Sequence, residues 1–327
     1  MVQKPLVRRR RPSSLAASSD GVPGEGSGVS RRRTFTARRG FIILAFFLPA
    51  ALFVGVFTYY PIVSGAQMAF RRWQLSNLID NPWVGFHNFV TIFTDPSFGT
   101  IALNTVIWVV ASLVPQFIIG FALALWLRRR FRFRGLYQAL VFFPWAISGF
   151  LIGILFRWMF NGEFGVINDI LIKVGLIDKG IPWLADPTTA MVAVIVANVW
   201  YGVTFFAIII LAALQSVPEE LFEAAALDGA SRTRTLFAVT VPYIATTLAL
   251  TVLLRVIWIL NFPDIIWAMT GGGPANQTHI VTTWMITMTQ NGNYGIASAL
   301  GLIIVAILMV FSAFYLLAIR PNKRQIG

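Results

Sequence analysis

The sequence predicts an all-α, polytopic membrane protein. It has six transmembrane helices, both termini cytoplasmic, and a short cytoplasmic helix between helices four and five. Three observations predict this class. The 327 residues are 57% hydrophobic and only 12% charged, with a mean hydropathy of +0.73, whereas a soluble domain carries about 25% charged residues. Six apolar runs approach or exceed the roughly 20 residues that cross a hydrocarbon core. The basic residues are gathered between alternate runs, as membrane orientation requires.

The elements follow in order. Residues 1–40 hold ten Lys/Arg and two acids around "SSLAASSDGVPGEGSG", a polar, Gly/Ser-rich composition expected to be disordered. Its arginines read as an orientation signal that also attracts anionic lipid. Span one, about 41–66, is too long for a signal-peptide core and has no A-x-A-like site after it, so it reads as retained. Span two is 101–127 and span three 135–160, separated by the basic "RRRFRFR" at 128–134. Pro115 and Pro144 loosen these helices where other groups satisfy the backbone. Gly149 and Gly153 form a G-x-x-x-G that favours close helix contact. In loop 161–188, Ile167, Ile170, Leu171 and Val174 follow helical spacing, which predicts a short helix on the membrane surface, with Trp183 as an interfacial anchor. Spans four, five and six are 189–215, 240–263 and 296–319, with loop 216–239 between four and five and a short tail at 321–327.

With the N-terminus inside, the inner segments hold twenty Lys/Arg and the outer ones four, namely Arg71, Arg72, Lys173 and Lys179. The net charge of +13 is concentrated in three segments, 1–40, 128–134 and 320–324, and the remainder sums to −3. No recognition motif accompanies that charge, so a nucleic-acid partner is not expected. There is no cysteine, which excludes disulfides and thiolate metal sites. The two histidines, His87 and His279, lie in different loops, and no cluster of His, Cys or carboxylate sits in the spans, so neither metal nor catalytic residue is expected. No Gly-Lys pair occurs, so a phosphate-cradling G-x-x-x-x-G-K-[ST] loop is absent. Any ATP chemistry of that kind belongs to a partner.

The segment "SVPEELFEAAALDGASRTRTLFAVTVP", Ser216–Pro242, carries six charged side chains between two apolar runs. Ser216 and Glu219 have capping-box spacing, Pro218 is tolerated in a first turn, and acids gather at the positive end of the helix dipole. Gly229 offers a left-handed stop. A helix over about 217–228 is predicted. At that length it is marginal alone, and Leu221, Phe222, Ala225 and Ala226 form an apolar patch expected to dock on a partner.

Here the sequence resembles the permeases of ABC importers. Glu223, Ala224, Ala225, Asp228, Gly229 and Pro242 match the EAA loop of that family, which implies a coupling helix that docks on an ATPase subunit. "NFPDIIWAMTGGGPANQT" is similar to the F-x-x-I-x-x-L-T-x-G-G-P segment of carbohydrate-uptake permeases, like the larger maltose-type subunit, with Met269 where Leu is commoner. "GVINDIL", "WLADP" and Asn104–Thr105 share that likeness, which covers about 41–320. The resemblance implies an importer for a di- or oligosaccharide in a bacterial or archaeal cytoplasmic membrane. It implies as partners a second, different permease chain, an ATPase dimer and an external substrate-binding protein. It implies that no cofactor is bound by this chain and that ATP and Mg serve the ATPase. A permease for a polyol, glycerol-phosphate ester, amino acid or peptide is the alternative. A stand-alone secondary transporter would show an inverted repeat, and none is visible.

Polar side chains within spans mark a path. Span five supplies Arg255, Trp258 and Asn261 at i, i+3 and i+6, followed by Asp264. Span four supplies Asn198, Tyr201 and Thr204 at the same spacing. These seven are the substrate-path candidates.

Overall fold

The computed structural model describes residues 30–319, with side chains from residue 40. The terminal segments 1–29 and 320–327 lie outside the described residues. Among the described residues the fold is all-helical, with only isolated bridges at Arg71–Trp83 and Gln74–Asn77 in place of strands. Five helices are long and apolar enough to cross a membrane, and a sixth span is counted if one bent pair is taken together.

The chain divides into two units, 1–61 and 62–327. The first unit holds α1 (Ser30–Val54) and a π turn at Gly55–Tyr59. The helix begins at Ser30, inside the segment read above as a disordered tail. Once a span has paid the nucleation cost, arginines, which are good helix formers, extend it with little penalty.

The second unit carries the remaining helices. After α2 (Tyr60–Met68) come α3 (His87–Thr94) and α4 (Phe98–Arg128). Next are α5 (Arg134–Phe142), a 3₁₀ turn at Phe143–Ala146 and α6 (Gly149–Met159). The loop helix α7 (Val166–Lys173) precedes α8 (Pro187–Gln215). Then follow α9 (Glu219–Leu227), α10 (Arg232–Thr235), a π turn at Leu236–Thr240 and α11 (Val241–Asn261). The unit ends with α12 (Asp264–Met269), α13 (Val281–Gln290) and α14 (Tyr294–Ala318).

Span three, expected over 135–160, is not one continuous helix. Its two halves, Arg134–Ala146 and Gly149–Met159, meet at 99°. Pro144 removes one amide from the ladder, Ile147 is extended, and Ser148 caps α6 through Leu151 N–H. The Thr204 hydroxyl donates to the Val141 carbonyl at 2.8 Å, beside the break. The freed backbone is satisfied from a neighbouring span.

Small residues set how closely the helices pack. A Cβ on Gly120 of α4 would lie 2.5 Å from Phe206 Cβ of α8, and one on Gly153 of α6 would lie 2.5 Å from Ala268 Cβ of α12. Around these contacts form three buried clusters. Trp108, Phe156, Val194 and Ile266 lie in the first, Leu127, Phe206, Ile210 and Leu214 in the second, and Ile92, Trp284 and Leu300 in the third.

Loop 161–186 is a built structure. Buried Asn168 donates to the carbonyls of Gly162 and Ile181, both at 3.0 Å, and accepts from Ile181 N–H and from the Trp183 indole at 2.8 Å. Trp183 was expected to anchor in the interface. It packs edge-on to Phe160 while its indole N–H donates to Asn168. Asp186 caps α8 by accepting from Thr188 and Thr189 N–H, and those bonds lower its pKa below the usual aspartate value.

Candidate functional site

Spans two, four and five converge on Arg255, which is only 5% exposed. Its Nε donates to Gln116 Oε1 at 2.6 Å and its Nη2 donates to Asn198 Oδ1 at 3.5 Å. Gln116 in turn donates to the Asn198 carbonyl at 2.9 Å. The Phe205 ring centroid lies 5.7 Å from the guanidinium carbon. The close approach depends on Gly202, because a Cβ there would collide with Arg255 Nη2 and the Gln116 amide. Among the described residues no carboxylate lies within 4.0 Å of Arg255, and the ion pair they do hold, Lys173–Asp169 at 2.7 Å, lies on exposed α7. Asn198 Nδ2 is buried and has no acceptor.

Arg255 borders a cavity of about 150 Å³, lined also by Trp145, Gly149, Asn198, Tyr201, Trp258, Phe262 and Asp264. This wall pairs donors and acceptors with flat aromatic faces. Five of the seven candidates therefore meet in one place. Two do not. Thr204 lines a separate apolar groove and serves the Val141 carbonyl. Asn261 is exposed and donates to its own Ile257 carbonyl at 2.9 Å. The reason is common to both: at about 100° per residue, i+6 lies about 120° around the helix from i. The cavity covers the arc holding i and i+3 and stops short of i+6. The sequence reading missed Gln116 and Gly202. Gln116 was detectable as a lone amide inside an apolar run.

A second constellation is the segment between α8 and α11. Ser216 does not cap α9. Its hydroxyl donates to the Ala213 carbonyl at 2.8 Å and finishes α8, so the box expected with Glu219 does not form and α9 starts at Glu219 behind Pro218. At the far end Gly229 takes φ +69°. Its N–H reaches the Ala226 carbonyl at 3.0 Å while Ala230 N–H reaches Ala225 at 2.9 Å, a Schellman stop. The apolar patch also faces the other way from expectation. Leu221 and Phe222 pack against the chain's own second cluster and Ala225 is buried, whereas Ala226 of the same patch is exposed. The outward face holds Glu219, Glu220, Glu223, Ala224 and Leu227, and Leu227 is 90% exposed. Asp228 and Gly229 are exposed at the stop.

The Thr270–His279 loop joins two segments the sequence had singled out separately. Thr270 and Thr278 hydroxyls share a hydrogen bond of 2.7 Å across the glycines. Asn104 donates to the Asn276 carbonyl at 3.2 Å, and Thr105 Oγ1 accepts from Val281 N–H at 3.1 Å. Asn104–Thr105 therefore hold the T-G-G-G-P turn onto span two.

Among the described residues, an all-helical fold with five to six candidate spans around a polar cavity is the architecture of a multi-pass membrane protein. The family described as binding-protein-dependent transport system inner membrane component matches residues 116–323. The sulfoquinovosyl glycerol transport system permease protein SmoG of Agrobacterium fabrum is 32% identical over 84% of this chain and 89% of its own length. The trehalose/maltose transport system permease protein MalF of Thermococcus litoralis is 30% identical over 88% of this chain and 96% of that protein. A chain from a bacterial ABC transporter that imports the acidic polysaccharide alginate superposes with a TM-score of 0.77 at 27% identity, covering 90% of this chain and all of that one. The chain belongs to the binding-protein-dependent transport system inner membrane component family.

Proposed function

We propose that this chain is one of two membrane subunits of an ATP-driven importer for a di- or oligosaccharide. The observation that carries this is the convergence of Asn198, Tyr201, Arg255, Trp258 and Asp264 on one cavity in a chain whose relatives are named for sugar transport. An indole face suits a sugar ring, and guanidinium, amide, phenol and carboxylate suit its hydroxyls. Asn198 Nδ2 lacks a protein acceptor, and the Arg255 Nη1 group has none either, so both are available to a ligand.

In this reading both termini and loop 216–239 face the cytoplasm. α9 docks its exposed acidic face and Leu227 on an ATPase subunit, with Glu223, Ala224, Asp228 and Gly229 at or beside the contact. Ala225 supports it from behind. A second permease, a different chain, completes the path. An external binding protein delivers the sugar to the outer loops; a relative's transporter was solved with such a periplasmic protein bound. ATP and Mg belong to the ATPase pair, whose closure moves the two coupling helices and switches the cavity from inward- to outward-facing.

The test uses the whole complex in membranes. Asp264→Ala and Trp258→Ala are expected to cut sugar uptake about tenfold or more, since each removes a buried contact worth about 1–2 kcal/mol. Assembly should be unchanged. Asn261→Ala is expected to transport near the wild-type rate. Wild-type kinetics in both cavity variants would remove the site.

A further inference from the structure

Among the pockets that the transport reading does not use, one is lined by arginines. It lies between the C-terminal end of α4 and the loop after α9, and has a volume of about 580 Å³. Arg128, Arg129 and Arg232 line it, with Thr235 beside them and Leu125 and Leu236 as apolar wall; no carboxylate faces it. Among the described residues none of the three arginines has an Asp or Glu within 4.0 Å. The acids of α9 lie on its outward face, away from this lining. Arg128 is fixed, its guanidinium carbon 4.3 Å from the Phe222 ring centroid. Stacking occupies the face of the guanidinium and leaves its N–H edge for an acceptor.

Three guanidiniums around one opening repel one another unless an anion joins them. Guanidinium forks match the oxygens of a phosphate. The surroundings say which phosphate. Trp126 packs on Phe131 at 4.7 Å and on Tyr137 at 5.2 Å at this same helix end, an aromatic cluster of the kind found at a bilayer interface. The leucines of the wall continue the apolar surface of spans two and five. We propose that this pocket binds the headgroup phosphate of an anionic phospholipid, which ties span two to the loop that carries α9. Basic pockets between spans on the cytoplasmic side bind such headgroups, and a lipid here would set the position of α9 and so the coupling it transmits.

The inference rests on the orientation proposed above, and the experiment reads the two separately. The complete complex is purified in detergent and mixed with phosphatidylglycerol or phosphatidylcholine. Bound lipid is counted by native mass spectrometry, and binding-protein-stimulated ATP hydrolysis is measured on the same samples. Wild-type hydrolysis reports the importer reading, and the lipid count reports the pocket. Phosphatidylglycerol is expected to stay on the wild type, phosphatidylcholine to leave, and Arg128→Gln/Arg232→Gln to bind phosphatidylglycerol about 30-fold more weakly. Arg128→Lys/Arg232→Lys, which keeps the charge, should bind within a few-fold of wild type. Equal retention by the Gln and wild-type complexes would overturn the proposal. Displacement by an equal concentration of inorganic phosphate would assign the site to a free anion and overturn the lipid. Loss of the ATPase from the Gln variant with lipid retained would assign the pocket to the ATPase's acidic side chains instead.

Discussion

At Gly202 a single added carbon would meet both Arg255 and Gln116. Gly202→Ala must therefore push the buried cation toward the cavity or part α8 from α11, at a cost of about 1–3 kcal/mol. A lower melting temperature of the detergent-solubilised complex and reduced uptake are expected; unchanged values of both would show that the guanidinium has slack. His279 is constrained in a comparable way. Its ring lies where a side chain on Gly272 would be, and Nδ1 is 3.0 Å from Thr283 Oγ1. Burial lowers its pKa. The folded state then holds fewer protons than the unfolded one, so stability is lost as pH falls below the unfolded value of about 6.5. Between about pH 7.5 and about 5.5 the wild type should lose more thermal stability than His279→Gln, and parallel losses would exclude this histidine as the cause. At this scale the sequence was partly legible. Arg255, Asn198, Tyr201, Trp258 and Asp264 stood out because polar groups inside apolar runs need a reason. Thr204 and Asn261 stood out for the same reason but lie outside the cavity, because spacing gives the arc of a helix and not the position of its neighbours.

α9 shows what an element's pattern decides. Gly229 as a stop was readable, since few other residues accept φ +69°. The start was not, because Ser216 had two uses and the end of α8 took it. The apolar patch was readable as a patch, but its partner was the chain's own core. What remains outside is Leu227 among acids. Burial of a leucine is worth about 2 kcal/mol, so Leu227→Ala is expected to weaken ATPase association about tenfold or more, measured by titrating the ATPase onto the reconstituted permease pair. Unaltered affinity would place the docking contact elsewhere. Loop 161–186 gave its short helix to the sequence reading, whereas the capture of Trp183 by Asn168 depends on a fold that local spacing does not encode.

For the whole molecule, five of the six expected spans were legible as long apolar helices, because a bilayer imposes that length and composition on any chain. The orientation itself is directly testable, and the absence of native cysteine makes the test clean. Single cysteines in place of exposed Glu163 and Asp228 should behave oppositely toward an impermeant maleimide. Glu163→Cys should react in intact cells, and Asp228→Cys only after permeabilisation; the reverse pattern would invert the topology and move α9 away from any ATPase. Pro144 marked where span three loosens, but the size of the bend was not legible, since residues 135–160 stay apolar across the break.

That bend bears on how the protein is made. At 1.5 Å per residue the two halves, Arg134–Ala146 and Gly149–Met159, each fall well short of the ~30 Å hydrocarbon core. Neither half is a complete span for the insertion machinery to release into lipid alone. The Thr204 hydroxyl that completes the broken backbone arrives with span four, some sixty residues later in synthesis. Span three is therefore expected to reach its final shape only after its successor has been translated.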